Sequence, residues 1–326
     1  MSKKKKFVVI DGHHLIFRAY YAMSNMKKWA IFWFASMLLN IIEIENPDYL
    51  AVTFDLYKSF RHDKDPEYKA QRKQTPDDLK EQMPKIYEMV EKMWIPIYAV
   101  DWYEADDVMW AISKINLEYE DIKTIIVTWD MDILQLVKNW KTTIAIPHKW
   151  YKEAVYFDEE AVFEKYWLTP KQIICFKAIA WDTSDNIKWI PWIWAIWATK
   201  LIKKFWSAKK IFEELKKILE SEKKAEEKFK ISWEKSDKKN IIKCDFIKWA
   251  IKTKLQNWIN KIDDLVEMTT ICTDFSLENF SLENTKFSWI KSEWINFLKN
   301  EEFHSLIRRL DKMESDKRLE DQLMLF

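Results

Sequence analysis

One glycine in 326 residues constrains this chain more than any other feature. A chain this long needs turns, helix ends and close backbone approaches at positive φ, and only glycine enters that region freely. Tryptophan, by contrast, occurs twenty times. Together the two make up about 6% of the chain, close to the roughly 7% that glycine alone contributes to an average protein. The tryptophans therefore stand where glycines are expected. The stretch WDTSDNIKWIPWIWAIWATK, residues 181–200, places five indoles among small polar residues and shows the pattern most densely.

The length suits one large α/β domain or two smaller ones. Cys175, Cys244 and Cys272 are scattered and form no CxxC pair, which argues against a disulfide framework or a zinc site and for a reducing cytosol. The opening MSKKKKFVVIDG has too short an apolar run for a signal peptide, and no run of about 18 apolar residues predicts a membrane span.

Apolar runs alternate with amphipathic stretches in the manner of βαβ units. Strands are expected at 7–10, 49–54, 95–100, 124–128 and 142–146, and helices at 31–44, 75–93 and 104–115. Thr75 followed by acids predicts a helix cap. Residues 57–75 are rich in Lys and Arg without apolar periodicity. From about 158 the chain reads as mostly helical, with a Lys/Glu-rich insert at 220–243 and a frayed tail at 311–326. The fold class expected is α/β: a central, mostly parallel sheet with helices on both faces, and ligands beyond the carboxyl ends of the strands.

The acids fall at those ends. Asp11, Asp55, Glu104, Asp106, Asp107, Asp130, Asp132, Asp182 and Asp185 all lie at strand ends, helix starts or turns. A single such acid is an ordinary cap. Nine on one sheet edge repel one another unless cations neutralise them, and hard oxygen donors in excess favour Mg²⁺ or Mn²⁺ over zinc. His13, His14, His62, His148 and His304 have no zinc-ligand spacing such as HExxH. Two such ions, roughly 3.5–4 Å apart, suit phosphodiester hydrolysis. With nine carboxylates set against a net charge of +1, the remainder carries about +10, a basic surface fit for a phosphate backbone.

The segments VIDGHHLIFRAYYA (9–22), FRHDKDPEYKAQR (60–72), TPDDLKEQ (75–82), YEADDV (103–108), WDMDILQLV (129–137) and WDTSDNIKWIPWIWAIWATKLI (181–202) closely resemble, in order, the 5′-nuclease domain of bacterial DNA polymerase I, a relative of the flap endonucleases. The resemblance runs from about 7 to 310, with no polymerase region after it, and implies a stand-alone 5′-nuclease with a PIN-like fold. It implies an N-terminal nuclease domain at 1–168 with a helical arch at about 57–93. A C-terminal helical domain at 169–310 would carry a helix–three-turn–helix at about 186–205, followed by a flexible tail at 311–326. The family has glycine where this chain has Trp33, Trp94, Trp102, Trp129, Trp181, Trp189, Trp192, Trp194 and Trp197. The simplest account is a gene whose UGA codons mean glycine, read with UGA as tryptophan.

By the same resemblance, Asp11, Asp55, Glu104, Asp106 and Asp107 hold a first divalent metal, and Asp130, Asp132, Asp182 and Asp185 a second. Lys69 and Arg72 from the arch, with Arg18, are implied at the scissile phosphate as catalytic cations. Tyr68 and Arg61 are implied at DNA, Tyr68 by stacking or equally by packing. The turn carrying Trp189, Trp192, Trp194 and Trp197, with Thr199 and Lys200 opening the second helix, is implied to hold DNA phosphates, with K⁺ as a further ligand. Gln322, Leu323, Leu325 and Phe326 resemble a short peptide that docks on the replication sliding clamp. The function implied is a Mg²⁺-dependent 5′–3′ exonuclease and 5′-flap endonuclease, monomeric, cytoplasmic and nucleoid-associated. Its partners would be branched or nicked duplex DNA, 5′ flaps and RNA primers. The competing readings are a non-catalytic module that binds branched DNA, which would have lost carboxylates, and a metal-dependent RNase, which would lack the helix–three-turn–helix. This chain keeps all nine acids and that segment.

Overall fold

The computed structural model describes residues 4–22, 28–56, 58–180, 185–186, 190, 193–232, 247, 249–272, 275–278, 280–288 and 292–323. They group into two compact units. One comprises residues 1–60, 73–158 and 272–326, the other residues 61–72 and 159–271.

The first unit is built on a six-stranded sheet in the order β3-β2-β1-β4-β5-β6. The strands are β1 Lys5–Asp11, β2 Tyr49–Thr53, β3 Ile97–Tyr98, β4 Ile122–Val127, β5 Thr142–Ile146 and β6 Val155–Phe157. The first five run parallel, and β6 returns antiparallel to β5. The core of β1, FVVI, is wholly buried because it lies between two parallel neighbours. β1 pairs with β2 on one side and β4 on the other, so the strand order reverses between β1 and β4. Loops leaving strands at such a reversal diverge and leave a crevice, the usual ligand position in these sheets.

Helices α1 Gly12–Ala22, α2 Trp29–Glu45, α4 Asp77–Lys92, α5 Ala105–Asn116, α12 Ser292–Asn300 and α13 His304–Leu323 complete this unit. Gly12, the one glycine, opens α1 directly behind Asp11, and a Cβ there would lie 2.2 Å from the Phe54 ring. α4 begins after Pro76 rather than at a Thr75 cap, because Pro76, with extended backbone, takes the capping position. The strand expected at 95–100 shrinks to two residues, and the three-residue β6, two of them exposed, lacked a readable apolar pattern.

The second unit is helical: α3 Phe60–Lys64 enters it, followed by α6 Glu159–Tyr166, α7 Pro170–Ile179, α8 Ala195–Phe205, α9 Ala208–Ser232, α10 Trp249–Gln256 and α11 Ile262–Thr269. A capping box of Thr169 and Gln172, with Pro170 in the first turn, starts α7.

Thirteen described non-glycine residues have positive φ, and five of them are tryptophans: Trp94, Trp102, Trp150, Trp167 and Trp206. A residue that makes up 20 of 326 positions supplies more than a third of the left-handed ones. That is the distribution glycine would show. Trp33 and Trp197 lie inside helices instead.

Candidate active site

At the β1–β4 reversal, Asp11 ends β1 and is 3% exposed. Its carboxylate accepts hydrogen bonds from the His14 backbone N–H (3.0 Å), the Thr128 hydroxyl (2.9 Å) and the His14 ring Nδ1 (2.5 Å). The Thr128 oxygen accepts the Asp130 N–H at 3.1 Å, and Asp130 Oδ1 accepts the Asp132 N–H at 2.8 Å. One hydroxyl thus bridges the ends of the two central strands. Burial works against the charge on Asp11, but the His14 imidazolium and these donors outweigh it and hold the carboxyl below its ordinary range. Burial also opposes charge on His14, yet Asp11, followed by Asp130 and Asp55, pushes its pKa up. His14 is therefore a cation set among three of the acids.

Beside it, Asp55 is exposed just past β2 and its Oδ1 accepts the Ala105 N–H at 2.6 Å, which ties it to the start of α5. Glu104 caps that helix and accepts the Ser59 hydroxyl at 3.2 Å, and Asp106 is half-buried in the first turn. Asp107 differs. It is fully buried and both carboxylate oxygens take backbone N–H groups, Glu104 at 3.0 Å and Cys272 at 2.6 Å. These two bonds tie Asp107 to the start of α5 and to Cys272.

In the second unit, Asp185 is 8% exposed. Arg72 pairs with its Oδ1 at 2.8 Å, the Tyr68 hydroxyl reaches its Oδ2 at 3.5 Å, and its carbonyl accepts the Lys69 N–H at 3.0 Å. Lys69 has a left-handed backbone, φ 56°, and its ammonium lies 4.9 Å from the Tyr68 ring centre. Tyr68 and Arg61, expected at DNA, are each only 3% exposed. Arg61 donates to the carbonyls of Met268 (3.2 Å) and Thr270 (2.9 Å), so its guanidinium fastens α3 to the end of α11.

Among the described residues, no three His, Cys, Asp or Glu side chains converge on a common ion position. The acids of the first unit share a sheet edge, where Asp11, Asp55, Glu104, Asp107 and Asp130 accept N–H or O–H donors.

Residues 6–167 match the family described as 5′-3′ exonuclease, N-terminal resolvase-like domain. The chain is 34% identical to DNA polymerase I of Bacillus subtilis over 98% of its own length and 34% of the relative's. It is 35% identical to DNA polymerase I of Bacillus caldotenax over 65% of this chain and 25% of that one. The chain carries a 5′-3′ exonuclease domain of the DNA polymerase I type. It spans about a third of the length of the first of these polymerases. Its fold is that of the bacteriophage T5 D15 flap endonuclease, solved with DNA and metal ions (TM-score 0.60, 18% identity, 82% of this chain and 89% of that chain). It is also that of the Rad2 catalytic core in complex with DNA substrate (TM-score 0.57, 14% identity, 92% and 88%).

Within this 5′-nuclease frame, Thr199 and Lys200 lie in the second turn of α8 rather than opening it, because the helix starts at Ala195 behind Trp194. Lys200 sits 5.0 Å from the Trp197 ring centre. Asp182, Trp181, Trp189, Trp192, Leu325 and Phe326 lie outside the described residues, and of Gln322 and Leu323 only the helical backbone is described. Two groups escaped the sequence reading: His14 and Thr128, which hold Asp11. The signal for His14 was its place three residues after Asp11 at a helix start. No helix among the described residues is long and apolar enough to cross a membrane.

Proposed function

We propose that the chain is a divalent-metal-dependent 5′–3′ exonuclease and 5′-flap endonuclease that hydrolyses phosphodiesters of DNA and of RNA primers in replication and repair. The observation that carries this reading is the acidic edge at the β1–β4 reversal, where Asp11, Asp55 and Asp130 surround His14 in a 5′-3′ exonuclease domain. The donor set fits a hard cation: Asp11, Asp55, Glu104, Asp106, Asp130 and Asp132 offer only carboxylate oxygens, the chemistry Mg²⁺ and Mn²⁺ favour. Asp182 and Asp185 would complete the set. When bound, the ions supply an acidified water for attack and positive charge for the departing 3′ oxygen.

The chain's own groups do the rest. Asp11, held ionised, keeps its charge for the cation, while Thr128 fixes the spacing of Asp11 and Asp130. Arg18, Lys69 and Arg72 bind the phosphate undergoing attack and stabilise its added negative charge. The start of α8, with the turn before it, grips phosphates through backbone N–H groups and K⁺, without reading sequence. Residues 322–326 dock on the sliding clamp, and the protein acts as a monomer in the cytoplasm near the nucleoid.

Cleavage of a 5′-flap duplex in Mg²⁺ tests the main reading, with Asp130→Ala/Asp182→Ala as the control. Cleavage by the unaltered chain and none by the double variant is the expected result. Full cleavage by the variant overturns the two-metal assignment. Flap binding without cleavage by the unaltered chain leaves a branched-DNA binding module instead. Deleting residues 322–326 is expected to end capture by the clamp.

A further inference from the structure

A cavity of about 300 Å³ opens in the first unit beside the acidic edge, lined in part by Arg18, Tyr21, Trp129, Lys149 and Trp150. Trp129 directly precedes Asp130, and Arg18 lies one helical turn beyond His14, 5.9 Å from the Trp129 ring centre. The described lining includes two cations and no acid. It combines charge for a phosphate with the Tyr21 ring for a base, the pairing that sites for single nucleotides use.

The loop carrying Lys149 is unusual. Lys149, Trp150 and Tyr151 all have left-handed backbones, with φ of 43°, 63° and 75°. Lys149 and Tyr151, which flank a position that suits glycine, hold that backbone only where the surroundings fix them. The surroundings here are specific. The Asn40 side chain donates to the Trp150 carbonyl at 2.5 Å, and the Tyr151 and Tyr156 hydroxyls both donate to Glu45 at 2.5 Å. Glu45 is 2% exposed and also receives the Lys6 ammonium at 3.4 Å. This buried network holds the turn that presents Lys149 at the cavity. The Lys149 ammonium pairs with Glu153 at 2.7 Å, but both side chains are more than half exposed, and such pairs yield readily to a doubly charged ligand.

We propose that this cavity binds a nucleoside 5′-monophosphate, with Lys149 and Arg18 on the phosphate and Tyr21 against the base. The proposal rests on the nuclease reading for the source of its ligand, since a 5′–3′ exonuclease that leaves 5′-phosphates releases this molecule beside its own metal ligands. Product held there delays the next cycle of binding. Glycine in place of Trp129 and Trp150 would widen the cavity and keep Arg18, Lys149 and Tyr21.

The test titrates the full chain, in EDTA, with thymidine 5′-monophosphate, thymidine and inorganic phosphate, followed by isothermal titration calorimetry. Without metal, binding through the acidic edge is suppressed, so the result is independent of whether the chain cleaves flaps. The monophosphate is expected to bind about tenfold or more tighter than thymidine or phosphate alone, and Lys149→Gln to weaken it by about tenfold, the effect of one charge-assisted hydrogen bond. Lys149→Glu is expected to erase the preference over thymidine. Equal binding of monophosphate and thymidine, or an unchanged Kd in Lys149→Gln, overturns the proposal. Phosphate binding as well as the monophosphate overturns the nucleotide part. Lys149→Gln carries the test if circular dichroism shows that Lys149→Glu does not fold.

Discussion

Asp11 and Asp185 are both buried acids assigned to the same chemistry, yet the two units hold them differently. Asp11 sits at the end of a central strand and meets neutral N–H and O–H donors plus one imidazolium. Asp185 sits in the helical unit and is neutralised by the Arg72 guanidinium, whose own side chain is 49% exposed. A carboxylate held by a strand end and short donors is preorganised for a cation. Asp185 is paired instead to a half-exposed arginine, and the pair would act as a latch if a phosphate drew Arg72 away from it.

The largest effect expected from this contrast is on Asp11. Asp11→Asn keeps the shape and most donors but removes the charge, and flap cleavage in Mg²⁺ should fall on the order of 10³-fold, a loss of ~4 kcal/mol in transition-state stabilisation. Loss below tenfold would break the claim that the strand-end acid is the fixed centre. Next comes His14→Gln, which leaves a ring-sized donor without the cation. Outer groups that orient metal ligands are worth about 10–100-fold, and the reading to take is Mg²⁺ concentration for half-maximal cleavage. An unchanged Mg²⁺ requirement would make His14 a packing residue.

Smaller still is the Arg72–Asp185 pair as a stability element. Because Arg72 is half exposed, a double-mutant cycle of Arg72→Ala and Asp185→Asn in urea unfolding should give a coupling under about 1 kcal/mol. The same cycle read in kcat should couple more strongly than in stability if the pair is a latch. Equal coupling in both would make it a structural tie and erase the contrast with Asp11.

The parts legible in sequence were those with local periodicity. FVVI, YLAVTF and TIIVT read as buried strands because both faces are covered, and the acids followed from where those strands end. Lost were features set by distant partners. Arg61 is buried because carbonyls at 268 and 270 accept its protons, more than 200 residues away. Asp107 accepts the N–H of Cys272, 165 residues on. A charged residue that reads as a surface or ligand group carries no local mark of such a partner.

The tryptophans bring both units under one final test. Trp102 in the first unit (φ 72°) and Trp206 in the second (φ 74°) are left-handed and more than half exposed, 54% and 60%. Trp102 accepts the Phe60 N–H two residues before Glu104, and Trp206 ends α8. Neither indole has a packing role that offsets the backbone strain, about 1–3 kcal/mol for a non-glycine in this region. Trp102→Gly and Trp206→Gly should therefore each stabilise the chain by about 1 kcal/mol, seen as a higher urea midpoint with unchanged slope. Trp294 is the opposite case: it is fully buried within α12, and Trp294→Gly should cost about 3–5 kcal/mol from the cavity alone. A gain at 102 and 206 with a loss at 294 would mean that the fold itself separates glycine-seeking positions from a tryptophan it uses. The codons should then divide the same way, UGA at 102 and 206. A UGG codon at either would leave the strain real and the misreading refuted.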